Sequence, residues 1–235
     1  MTFINSPDST RDHLCKRGLC WYVASLLTLC VGSYMAAQTY PGGFDWFYTV
    51  ASALASQKHN PEGSVWFAAS LSVSMLLLWL YVSSIKTSLR ALLPAAGFAI
   101  TAIRIGLVCG FLLGAERLLI HDLSHWFYKA HESIALLTLL CLYIGILGLL
   151  LQLIHYKKSN LFPVLLIVSP LVAIGITELW LYFDQRHLGW VNINWREKGI
   201  PIWLSFAFWQ WLAIALIWVG LGRLYFFINN KKDSE

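Results

Sequence analysis

The segment ESIALLTLLCLYIGILGLLLQLIHY, Glu132–Tyr156, decides the fold class. Between Ile134 and Ile154 it carries no charged residue and no proline. A membrane-spanning helix needs about 20 mostly apolar residues, because the hydrocarbon core of a bilayer is about 30 Å thick. Inside that core every backbone polar group must find a partner, which only helices and closed barrels achieve. A barrel strand would alternate over about ten residues. This run is continuous, so it reads as a transmembrane helix.

Working outward, five more stretches qualify: Leu19–Gln38, Val65–Ser84, Ala91–Glu116, Leu161–Phe183 and Ile202–Ile228. The expected fold is all-α, one transmembrane bundle of six helices over residues 19–228, with polar tails at 1–18 and 229–235. No internal repeat or low-complexity linker divides it. The first apolar run is long and is not followed by a clean small-residue cleavage site, so it reads as a retained span and not as a signal peptide.

Composition agrees. Of the 235 residues, 58% are hydrophobic and only 12% charged, and the mean hydropathy is +0.62. Soluble domains carry about 25% charged residues, so a soluble enzyme and a disordered chain are both excluded. The pI near 9.0 suggests nucleic acid at first sight. However, the basic residues are scattered at segment ends and form no basic helix or groove, so no nucleic-acid partner is expected.

Lys and Arg set the orientation, since cytoplasmic loops carry their excess. Arg11, Lys16, Arg17, Lys86, Arg90, Lys157, Lys158, Arg223, Lys231 and Lys232 fall on one side. Lys58, Arg117, Lys129, Arg186, Arg196 and Lys198 fall on the other. Both termini are therefore expected in the cytoplasm, with the bacterial inner membrane as the expected location. The cytoplasmic turns, Ile85–Arg90 and Lys157–Asn160, are short. The outer loops, Thr39–Ser64, Arg117–His131 and Asp184–Pro201, are long and hold most of the acidic and His residues. Long loops are where function concentrates. Cys15, Cys20, Cys30, Cys109 and Cys141 lie in the tail or in spans, so no disulfide framework is implied.

In the first outer loop, Tyr40-Pro41-Gly42-Gly43 predicts a type II turn, with Pro41 fixing φ and Gly42 accepting a positive φ. Phe44–Gln57 then predicts a short interfacial helix. Phe44, Phe47, Ala51 and Leu54 would form its apolar stripe, and Asp45, Thr49, Ser52 and Ser56 its polar one. Asn60-Pro61 ends it. The polar stripe either caps the bundle or faces a lipid headgroup.

The loop Arg117–His131 leads into the densest polar stretch, His121 to Glu132. If helical, His121 and His125 share a face at a metal-pair spacing. Asp122 and Glu132 could orient a ring or complete a site. The competing reading is an ordinary interfacial belt of aromatic and His residues. Within the spans, Arg104 lies near mid-membrane and Glu178 one to two turns below the outer end of the fifth. Charges at such depth are costly and generally paired. Glu178, or Gln210 between Trp209 and Trp211, is the expected partner of Arg104. Such a pair serves structure or function. Trp190, Asn192, Asn194 and Trp195 in the last outer loop suit polar lipid heads, and equally an aromatic belt.

The Tyr40-Pro41-Gly42 turn, Asp45, the Ser52-Ala53-Leu54 stretch, Asn60-Pro61 and His131 ahead of Ile134-Ala135-Leu136 resemble a bacterial six-span membrane protein family. That family is similar to the DRAM (damage-regulated autophagy modulator) and FRAG-like proteins. The resemblance implies an integral membrane protein linked to lipid remodelling or asymmetry, without an agreed enzymatic activity. It implies Asp45, Ser52, Asn60, Pro61 and His131 as positions of interest. The outer Ser, Asp and His residues also invite comparison with the alkaline ceramidases, zinc hydrolases of seven spans. Six spans and the lack of a His-x3-His in the last one separate this chain from them.

Three functions follow as expectations. The first is binding or remodelling of membrane lipids at an outer polar pocket involving Asn60, Arg104, Glu178, Trp190 and Gln210. The second is a zinc-dependent lipid hydrolase or transferase. His121, His125 and His131 would be its ligands and Asp45, Ser52, Asp122 and Glu132 its catalytic candidates. The third is a small transporter using Arg104 and Glu178. The apolar inner halves of the spans disfavour transport. No protein partner is indicated.

Overall fold

The computed structural model describes residues 7–93, 95–119, 124–157, 161–183, 196–197, 199 and 201–230. Among them the regular structure is all helical, with seven α-helices. These are α1 Pro7–Gln38, α2 Ala51–Leu54, α3 Ser64–Leu92, α4 Ala96–Leu119, α5 Ser124–Lys157, α6 Phe162–Phe183 and α7 Phe206–Asn230. Five segments are long and apolar enough to cross a membrane: Arg17–Gln38, Ser64–Leu92, Ala96–Leu119, Ser133–His155 and Phe206–Ile228. A shorter apolar stretch, Phe162–Ile176, lies in α6.

The helices outrun several expected spans. Proline is favoured at the first helical position, and α1 already opens at Pro7 inside the expected tail. The expected turn Ile85–Arg90 is helical instead. Leu78, Tyr81, Val82, Ile85 and Leu89 are all buried and carry the apolar face of α3 past it.

The expected interfacial helix Phe44–Gln57 shrinks to the four residues of α2. Before it, Asp45 breaks the pattern, because its side chain accepts the Phe47 N–H at 3.1 Å and favours a turn. The type II turn is present, with the Gly43 N–H on the Tyr40 carbonyl at 3.0 Å and Gly42 at φ 76°.

Packing follows chain order. Helices α1, α3, α4 and α5 lie side by side in a row, each against the next. Lipid is as apolar as leucine, so membrane helices associate through close approach of small residues and through polar bonds. Helix α4 carries Gly106, Gly110 and Gly114 at four-residue spacing. A methyl group at Gly114 would strike Ser72 and the Ala68 carbonyl of α3. One at Gly106 would meet Leu142 at 2.8 Å and the Thr138 carbonyl of α5 at 3.0 Å. One glycine stripe thus seats α4 between two neighbours.

Helix α7 meets the row differently. It touches α1, α3 and α5 and pairs most closely with α6. Large side chains bridge the gap. Tyr22 of α1 donates to the Trp218 carbonyl at 2.9 Å, Tyr81 of α3 to Leu221 at 2.7 Å, and Tyr143 of α5 to Ala213 at 3.1 Å. Pro170 interrupts α6 and frees the Leu166 carbonyl, which the Ser169 hydroxyl takes up at 2.8 Å.

Candidate functional site

Because α7 stands off from the row, a cavity remains between them, at the end of the bundle carrying the 39–63 loop. Leu29, Phe67, Leu71, Met75, Leu139, Leu142, Ile214, Ile217 and Trp218 form its apolar body. Ser52, Arg117, His131 and Gln210 stand at its polar end. About 110 Å³ is open to the centre of a water-sized sphere.

The loop above is fastened from several sides. Gln210 accepts the Ala51 N–H at 2.9 Å, and the Trp211 indole donates to the Thr49 carbonyl at 3.1 Å. Trp211 also gathers Trp46 at 5.0 Å, Phe44 at 6.1 Å and Phe67 at 6.3 Å between ring centres. Ser205 donates to the Phe47 carbonyl at 2.5 Å. Asn60 is fully buried. Its amide donates to the Ala36 and Leu54 carbonyls at 2.8 and 3.4 Å, and its oxygen accepts the Gly63 N–H at 3.1 Å. Partial burial pushes the Tyr40 phenol above its ordinary pKa, and its ring meets Phe44 at 5.2 Å between centres.

The charges at the polar end come from the last turn of α4 and the first turns of α5. Glu116 accepts the His131 Nδ1 at 3.2 Å and faces the Arg117 Nε at 3.6 Å. The Arg117 Nε is buried and has no hydrogen-bond partner among the described residues. Glu116 does not line the cavity, whereas Arg117 and His131 do.

Three expected site residues, Ser52, His131 and Gln210, therefore meet at one cavity. Asn60 lies in the same loop but spends its polar atoms on backbone. Asp45 faces outward, with its second oxygen on the Arg196 Nε at 2.9 Å. Arg104 lies about 20 Å along α4 from Arg117. It stacks on Trp79 at 3.9 Å, in a groove shared with Thr101, Ile105, Val108 and Cys109. Its Nε has no hydrogen-bond partner, and no carboxylate pairs with it among the described residues. Gln210 is not its partner, being held by Ala51 at the far end of the bundle.

His121, Asp122 and Trp190 lie outside the described residues, as do the side chains of His125, Glu132 and Glu178. Among the described residues no three His, Cys, Asp or Glu side chains gather to hold a metal. Arg117 was not expected in the site. Counted as a loop-edge cation, it nonetheless follows Gly106, Gly110 and Gly114 on the packed face of α4, which is the signal that places it inward.

No family model, curated protein or solved structure matches the chain.

Proposed function

We propose that this protein is a six-span integral membrane protein, with both termini cytoplasmic, that holds a lipid in the outer half of its bundle. The excess of Lys and Arg on the side of the termini supports the orientation. The length of α6, Phe162–Phe183, supports a sixth span. The observation that carries the function is the cavity between α7 and the helix row. Its body is apolar and its end holds Arg117, His131, Gln210 and Ser52. Binding sites for small molecules are mostly apolar, with few convergent polar groups. The resemblance to proteins of lipid remodelling points the same way.

The test is lipid extraction from protein purified in mild detergent, beside an Ala135→Phe variant. Ala135 lines the cavity one turn beyond His131. The wild type should retain a defined lipid and the plugged variant should not, with both eluting as the same monodisperse species. Equal lipid content in both would overturn the reading.

A further inference from the structure

Resting on that reading, we infer that the cavity takes a single-chain amphiphile with an anionic head, a carboxylate or a phosphate on one acyl chain.

The shape supplies the single chain. Along α5 the lining runs from His131 to Leu142, and along α7 from Gln210 to Trp218. These intervals span about 16 and 12 Å at 1.5 Å per residue. That is about half of a 30 Å hydrocarbon core, the depth of one leaflet. Spread evenly over this length, the open 110 Å³ would give a mean width of roughly 6 Å once a water radius is added on each side. Packed carbons keep about 4 Å from one another, so two chains abreast need about 8 Å.

The chemistry supplies the anion. A guanidinium has five N–H donors in a planar fork that suits carboxylate and phosphate oxygens. Among the described residues Arg117 meets a carboxylate only in the loose 3.6 Å contact with Glu116, and its Nε is buried there without a hydrogen-bond partner. Gln210 spends its oxygen on Ala51, which turns its amide NH2 to donor duty. The Ser52 hydroxyl adds a further donor at that end. Among the described residues, the carboxylate beside Arg117 and His131, Glu116, stays off the lining.

The experiment is native mass spectrometry of the full chain in an uncharged detergent. Oleate and lysophosphatidate are titrated beside monooleoylglycerol, which has the same chain and a neutral head. The two anions should bind roughly tenfold more tightly than the neutral compound, as expected for a charge-assisted bond. Arg117→Gln should erase that difference and Arg117→Lys should keep part of it, which also covers the case where one variant fails to fold. The comparison between oleate and lysophosphatidate tells which head is preferred. Equal binding of neutral and anionic compounds would overturn the anionic head while leaving lipid binding in place. Equal binding of a two-chain phosphatidate would overturn the single chain. No binding of any amphiphile would remove both this inference and the reading beneath it.

Discussion

Ser25 of α1 and Ser74 of α3 face each other across a helix seam, and each donates its hydroxyl to the other's backbone carbonyl at 3.0 Å. The two oxygens lie 2.8 Å apart, and the Trp218 indole of α7 adds a third donor on Ser25 at 3.3 Å. Polar side chains bonded between membrane helices are worth about 0.6 kcal/mol on average and at most about 1.7. Ser74→Ala should therefore cost about 1 kcal/mol. Ser25→Ala should cost more, because it also strands the Trp218 N–H. The double variant should lose less than the sum, since the residues form one unit. Thermal melts in detergent with a double-mutant cycle read this directly. Strict additivity would contradict it.

Gly145 and Gly148, three residues apart on α5, should respond oppositely to alanine. A methyl group at Gly145 would meet the Ala99 carbonyl at 2.6 Å and Ile103 at 2.5 Å. Gly145→Ala should destabilise by about 1–3 kcal/mol, as overpacking does. At Gly148 the same methyl group finds only Ala99 Cβ at 3.4 Å. Gly148→Ala should be neutral or gain up to about 1 kcal/mol from helix propensity. Midpoints of denaturation in the same detergent give the comparison.

Asn60→Ala should be among the most damaging polar substitutions, at about 2–4 kcal/mol. It would strand the Gly63 N–H and leave the Ala36 carbonyl with only the Thr39 hydroxyl at 3.2 Å. Asn60→Asp should fare little better, because a carboxylate cannot donate to Ala36. Limited proteolysis of the 39–63 loop provides the local readout. A loop equally protected in all three proteins would refute the assignment.

Arg104→Leu should leave the melting temperature unchanged or raised. The guanidinium stacks on Trp79 without a carboxylate among the described residues. A leucine suits lipid by a few kcal/mol more, against the loss of about 0.5–2 kcal/mol of cation–π attraction. Trp79→Leu alone should destabilise, since it leaves the charge without its ring. A marked drop for Arg104→Leu would mean that a carboxylate partner such as Glu178 is at work.

Five of the six expected spans were legible as long apolar helices, because a run such as Ile134–Ile154 admits few other readings. The Tyr40–Gly43 turn was legible because Pro41 and Gly42 fix its dihedral angles locally. Phe44–Gln57 misled because its helical stripe ignores partners distant in sequence. Trp211 and Ser205 hold Phe44, Trp46 and Phe47 in turns that no local spacing encodes. The site was half legible. Ser52, His131 and Gln210 stood out as polar residues in an apolar chain. Their meeting, and the inward turn of Arg117, depend on which helices neighbour one another. That order is written in glycine spacing on α4 and in the tyrosines of α1, α3 and α5, not in hydropathy.

Helix α7 also bears on how the protein is made. Following α1, α3, α4 and α5 in the chain, it leaves the ribosome after that row. Until then the cavity is an open trough, with Leu29, Met75 and Leu142 bare along its floor. Arrival of α7 adds the facing wall, and the phenols of Tyr22, Tyr81 and Tyr143 bond to its backbone. A molecule lodged in the trough at that moment would lie between α7 and the row from the start.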